Sequence, residues 1–232
     1  QSFHIQSEKG GAIFVENNMF TIMLNSDGFT DCSTTAECGA FYLHGRTVQL
    51  NNICGFLCEA INNQYQFFNI QSDIRNTGCS INHLGVNFCG PKNIGISAFL
   101  ISGVTDYTIN YINSSSNYNN YLDNAKGACF RTIDVATFEV RFFNFLQSTG
   151  YDIINTHLNP TGLFDTGNIL NCTTNYIFKY QGSNKIQNTC FGNLNYDKSF
   201  EIGSSSLSGS DLTLTSCHFD RQITDADTKV TI

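Results

Sequence analysis

Hydrophobic and polar positions alternate along this chain in short bursts, with no sustained helical stripe. In the stretch 137–142, Phe138, Val140 and Phe142 fall on one face and Thr137, Glu139 and Arg141 on the other. Successive side chains of an extended strand point to opposite faces, so this stretch predicts a half-buried strand with the three hydrophobic residues turned inward. The burst recurs with a fixed order. Gly11-Ala12-Ile13 is followed by Thr21-Ile22-Met23-Leu24 and then by Phe29-Thr30-Asp31-Cys32. Gly39-Ala40-Phe41 leads in the same way to Thr47-Val48-Gln49-Leu50 and Phe56-Leu57-Cys58, and Gly127-Ala128-Cys129-Phe130 leads to Thr137-Phe138-Glu139-Val140 and Phe145-Leu146-Gln147-Ser148. Gly11 and Gly39 are 28 residues apart, a period that marks repeat architectures.

The expected fold is therefore all-β, a parallel β-solenoid with three short strands per coil, in which each coil buries its apolar face against the next. Glycines are expected at the corners, because they take positive φ without a Cβ clash. The whole chain, 1–232, reads as one domain with irregular excursions near 79–95 and 113–126. A β-sandwich is the alternative, since short strands at this spacing also build sandwiches. Only Asp27-Gly28 carries a strong hairpin-turn signal, which favours corners over hairpins.

Gly10-Gly11-Ala12-Ile13 resembles the glycine-glycine-alanine-isoleucine motif of the polymorphic outer-membrane proteins of chlamydiae, and the whole chain is similar to β-helical surface proteins of trichomonad-type protists. Those families pair this motif with phenylalanine followed three residues later by asparagine. Here Phe14-Val15-Glu16-Asn17 has that spacing in another register, and the expected positions read Phe29-Thr30-Asp31-Cys32 and Phe145-Leu146-Gln147-Ser148. The resemblance implies a right-handed parallel β-helix displayed at a surface and engaged in adhesion, with no catalytic residue to carry over.

Composition narrows the function classes. Charged residues make up 13% of the chain, about half the usual fraction, so the polar surface must be built from Asn, Ser, Thr and Gln. The net charge of −7 and the absence of a Lys/Arg run argue against nucleic acid and against contact with an anionic membrane. Apolar stretches such as 94–104 are too short to span a bilayer. The chain begins at Gln1 rather than Met, as expected of a mature chain after signal removal or of a fragment.

Ten cysteines, Cys32, Cys38, Cys54, Cys58, Cys79, Cys89, Cys129, Cys172, Cys190 and Cys217, lack the paired spacing of metal sites and read as disulfide candidates in an oxidising compartment. Two pairing schemes stand open. Cys32 and Cys58 should occupy one position on successive coils, where a strand spacing of about 4.8 Å is compatible with a bridge. Local pairs (Cys32 with Cys38, Cys54 with Cys58, Cys79 with Cys89) are the other scheme. Asn113-Ser114-Ser115 and Asn171-Cys172-Thr173 are N-glycosylation sequons, which fit an extracellular or cell-surface protein.

Chemistry-bearing residues are scattered. A glycosidase needs two carboxylates at a set separation; the candidates Asp31, Glu59, Asp73 with Arg75, Asp134 with Arg131, and Asp220 with Arg221 show no recurrent pair, so solvated surface charge is the favoured reading. Asp225 and Asp227 lack the pattern of a calcium loop, and His4, His44, His83, His157 and His218 lack zinc spacing. The expectation is no catalytic residue, no metal and no cofactor. Twenty Phe and ten Tyr without Trp predict an inward phenylalanine ladder, while Tyr65, Tyr107, Tyr111, Tyr118 and Tyr121 are candidates for an outward sugar-binding or self-association face. The expected function is an extracellular structural or adhesive protein that contacts surface or matrix glycans or proteins and self-associates end to end. The alternatives are a carbohydrate-active enzyme on the same scaffold and a viral spike or fibre subunit.

Overall fold

The computed structural model describes residues 6–60, 65–71, 78–90, 97–103, 106–118, 128–158, 160–202, 210–221, 223 and 230–231. Among these residues every element is a strand, and the strands pair in parallel with strands one coil away. Asp106–Ser115, for example, lies between Gly78–Asn87 of the coil before and Thr137–Leu146 of the coil after. This is a β-solenoid, and the parallel ladders dispose of the sandwich, whose neighbours would run antiparallel.

One coil shows how the chain turns. Thr137–Leu146 bends at Phe142 (φ 54), and a second turn at Gln147 (φ 51) delivers the chain to Thr149–His157. Leu158 (φ 67) closes the coil, and Thr161–Leu170 begins the next. Each turn is one residue in the left-handed region, which costs most L-residues about 1–2 kcal/mol. Glycine holds few of these positions: Asn52, Asn171, Asn188 and Asn193 fit the usual preference, whereas His83, Phe88, Tyr111 and Phe142 do not.

A single left-handed residue resets the strand alternation, so inward positions step by two, three, two and three. Val48, Leu50, Ile53, Gly55 and Cys58 follow this rule, as do Phe138, Val140, Phe143, Phe145 and Ser148. The consequence corrects one expectation. Phe138 and Val140 are buried, but Phe142 stands 45% exposed at the corner, and Phe143 and Phe145 take the inward places.

The motif glycines also serve a different purpose from the one expected. Gly10 does turn the chain (φ 59), but its counterpart one coil later is Cys38 (φ 60). Gly11 and Gly39 are needed for close approach, because a Cβ on Gly11 would overlap the carbonyl oxygen of Gly39, and one on Gly39 would overlap that of Gln66.

Phe41, Phe68 and Phe99 stack inside the coils at 4.9 and 4.8 Å between ring centroids, the predicted ladder. Phe164 meets Phe130, Phe138, Phe143 and Phe178 edge-on. Burying each such ring contributes about 1.5–3 kcal/mol. The segment 79–95 is less irregular than expected: Gly78–Asn87 is a regular strand, while 91–96 lie outside the described residues. Likewise 113–115 complete Asp106–Ser115, and 119–127 lie outside.

Candidate functional site

At a left-handed corner the side chain points away from the core, and parallel coils place equivalent side chains above one another about 4.8 Å apart. That spacing suits stacked rings. At the first corner His83 and Tyr111 stack at 4.7 Å with planes 2° apart, and Tyr111 and Phe142 at 4.8 Å with planes 11° apart. The next two coils put Thr166 and Asn188 at this corner. The ring column therefore ends at Phe142, whose face away from Tyr111 looks toward a threonine.

Amides flank the rings. On one side Asn82 Nδ2 donates to Asn51 Oδ1 at 3.0 Å, and Asn110 Nδ2 to Asn82 Oδ1 at 3.1 Å. Further along this column stand Arg141, which pairs with Glu139 at 2.7 Å, and Asp165. Burial pushes the Asp165 carboxyl up, but hydrogen bonds from Asn188, Gln187 and Thr166 and the charge of Arg141 outweigh it, and the net direction is down. The other flank carries Cys54, Gly85, Asn113, Asn144, Asn168 and Cys190 on successive coils. There Asn168 Nδ2 donates to Asn144 Oδ1 at 2.7 Å.

Where the corner steps down from Phe142 to Thr166, the surface opens into a shallow hollow of about 440 Å³. Its walls include the Tyr111 and Phe142 rings and the amides of Asn113, Asn144, Asn168 and Asn188, and no lining residue is charged. Asp165 sits behind it, accepting from Asn188 Nδ2 at 2.9 Å and from the Thr166 hydroxyl at 3.0 Å. A neutral hollow with one aromatic face and several unsaturated amides can stack an apolar ring face and pair hydroxyl groups around its edge.

Of the tyrosines proposed to face outward, Tyr111 does so, at 50% exposure, whereas Tyr107 is buried. Tyr118 is half-buried; Tyr121 and the side chain of Tyr65 lie outside the described residues. Phe142 and His83 were missed. The signal that could have found them is the break in alternation itself: apolar residues spaced two, three and two apart leave one residue at the corner, and here that residue is aromatic on three successive coils.

The acidic candidates go to separate places. Asp31 lies at the second corner and Asp134 at the third; Glu59 starts the short strand Glu59–Ala60. Asp220 accepts a hydrogen bond from the Asn193 backbone N–H, and Arg221 stacks over Tyr196 at 3.9 Å. Arg131 is buried on Phe130–Ile133 while Asp134 is exposed. Asp73, Arg75, Asp225, Asp227 and His4 lie outside the described residues. Among the described residues no group of three His, Cys, Asp or Glu side chains converges on a metal position.

The cysteines divide by position. Cys32, Cys58 and Cys89 follow the second corner on successive coils, tied by Glu59 N–H to Cys32 O at 2.9 Å and Gly90 N–H to Cys58 O at 3.1 Å. Asn117, Ser148 and Cys172 continue the column. Each thiol donates to the carbonyl two residues back, as Cys58 does to Phe56 at 3.6 Å and Cys172 to Leu170 at 3.4 Å; the Ser148 hydroxyl does the same to Leu146 at 3.0 Å. These thiols thus close a corner as a serine would, and all ten cysteines are thiols in this structure.

Burial pushes the Cys172 thiol up to about 11 and that of Cys79, on the inner face of Gly78–Asn87, up to about 12. Burial also raises Cys129, an inward residue just before Phe130–Ile133. The local pairing scheme does not survive the geometry. Strand Ser33–Glu37 separates Cys32 from Cys38, Cys54 faces solvent while Cys58 faces the core, and two corners at His83 and Phe88 stand between Cys79 and Cys89. The remaining two follow the same rules: Cys190 is exposed on the outer flank, and Cys217 donates to Thr215 at 3.5 Å.

Both sequon asparagines are exposed. Asn113 lies at the hollow, and Asn171, at the second corner, accepts from Asn193 Nδ2 at 2.6 Å. No family model, curated protein or solved structure matches this chain.

Proposed function

We propose that this chain is an extracellular or cell-surface solenoid that adheres to glycans through the first-corner face. The observation that carries this reading is the ring column flanked by amide columns, exposed and in register over successive coils. Sugars offer apolar C–H faces and rings of hydroxyls, which aromatic faces and amides complement. An amide-rich, charge-poor composition and the exposed sequon at Asn171 support an extracellular setting. Binding of the purified chain to an immobilised glycan panel tests the proposal. The expected result is retention on a subset of neutral glycans, lost when Tyr111 and Phe142 are both replaced by asparagine, a residue that tolerates the corner. Retention unaffected by that double variant overturns it, as does no retention at all, and release of reducing ends from a retained glycan would move the chain to the carbohydrate-active class.

A second observation favours self-association. Ile13–Asn25 pairs only with Phe41–Phe56 among the described residues, and it exposes Phe14, Met19, Phe20 and Met23. A strand edge with apolar side chains is a template for another chain. Sedimentation velocity across a concentration series tests this: a fixed monomer would sink end-to-end assembly, and Met19→Lys with Phe20→Lys should abolish any association seen.

A further inference from the structure

We infer that the hollow beyond Phe142 is a subsite for one neutral hexopyranose, stacked on the free face of the Phe142 ring. This rests on the proposal that the first-corner face binds glycans, and it names the place and the chemical class.

The rings of this corner carry a cost the fold does not require. A bulky residue at positive φ is an outlier for which the surroundings must compensate. Other coils avoid it: Ser26, Asn52, Asn188 and Ser216 occupy the same place. His83, Tyr111 and Phe142 recover part of the cost by stacking on one another, but the column stops where one ring face is left uncovered. That face borders the hollow, and the side chain that would cover it is Thr166, held away by its hydrogen bond to Asp165. Asn188, one coil further, is fixed by the same carboxylate. Asp165 therefore acts as a positioning residue for two walls without itself lining the hollow.

The occupant follows from the lining. No charge is present to meet a carboxylate, phosphate or ammonium, so the ligand is neutral. One ring face accommodates one pyranose face, such as the C3–H, C4–H and C5–H side of a β-galactoside. Asn168 spends one N–H on Asn144, which leaves amide groups of Asn113, Asn144 and Asn168 to pair with hydroxyls along the flank.

The chain carries its own reporter for a test. Cys190 is exposed and lines the hollow, and Cys54 is exposed in the same outer column several coils away. The reduced protein, expressed without glycosylation, is alkylated with iodoacetamide with and without methyl β-galactopyranoside at about 100 mM, about twice a dissociation constant of about 50 mM. Rates at each cysteine are read by peptide mass spectrometry, with glycerol at equal concentration as a control that has no ring face. The expected result is about threefold slower alkylation of Cys190 with Cys54 unchanged, and no slowing in Phe142→Asn. Equal slowing at both cysteines, slowing by glycerol, or no slowing at Cys190 overturns the subsite. Glycan retention with no Cys190 protection removes the subsite and leaves adhesion standing, whereas protection without retention keeps the subsite and removes adhesion.

Discussion

The first and second corners are built by the same backbone device and used in opposite ways. Both turn on one left-handed residue, and both repeat coil after coil. At the first corner the turning residue itself is aromatic over three coils and faces solvent. At the second corner the notable column is the residue after the turn, Cys32, Cys58, Cys89, Asn117, Ser148 and Cys172, which faces inward and ties its donor to the carbonyl two positions back. The lesson is that aromatic character outside and thiol character inside answer to separate demands, and only the inner one is a demand of the fold.

The largest effect should come from setting a core ring against a corner ring. Phe164→Ala removes a fully buried side chain that touches four other phenylalanines, and denaturant unfolding should show a loss of about 3–5 kcal/mol. Phe142→Asn should change stability by less than about 1 kcal/mol, because relief at the corner offsets the lost ring stack. Comparable losses for the two would break the distinction between the corners.

Next in size is the corner donor. Cys172→Val removes the thiol donor to the Leu170 carbonyl, which keeps the Gln147 N–H, so the loss should be about 0.5–1.5 kcal/mol, while Cys172→Ser should cost less, since Ser148 already makes the equivalent bond. Equal losses for valine and serine would show that the donor contributes nothing at this corner.

The thiols also predict an alkaline limb. The Cys172 thiol is raised from 9.0 to about 11, so its proton is held more tightly in the folded chain. Its contribution is complete below the unfolded value and is lost as pH rises toward the folded one. Between pH 9 and 11 the wild type should lose stability relative to Cys172→Ser, by about 1 kcal/mol at pH 10. Parallel pH profiles for the two proteins would contradict this.

The smallest effect belongs to Asp165, whose folded value is lowered. Its contribution is present above the ordinary carboxylate range and disappears as pH falls through the folded value. Melts of wild type and Asp165→Asn should therefore converge only below about pH 4. A difference that closes near neutrality would rule out this carboxylate as the source.

Much of this fold was legible in the chain. Thr21 aligned with Thr47, and Ile13 with Phe41, appear as register partners, and Phe29 and Phe145 do share one column. The slips were local: Phe29 pairs with Gly55 rather than Phe56, and Phe130 rather than Cys129 shares the column of Phe41. Simple alternation cannot show where a left-handed residue inserts, because glycine and asparagine hold only some of those positions. For the same reason the site was only partly visible. Tyr111 was named among outward candidates, but Phe142 was assigned to the core, and the amides that flank it become a surface only when coils of unequal length are brought into register.

That inequality has an evolutionary reading. Equivalent asparagines recur after 31 residues from Asn51 to Asn82, after 28 from Asn82 to Asn110, after 24 from Asn144 to Asn168, and after 22 from Asn171 to Asn193. Only the side between the first and second corners keeps a fixed residue count, as from Asn52 to Leu57, Phe142 to Gln147 and Asn188 to Asn193, so every gain or loss of sequence falls on the rest of the coil. Insertions and deletions can accumulate there without disturbing the columns, and the stretch between a second corner and the next first corner is where a peptide tag or a reporter domain should be grafted.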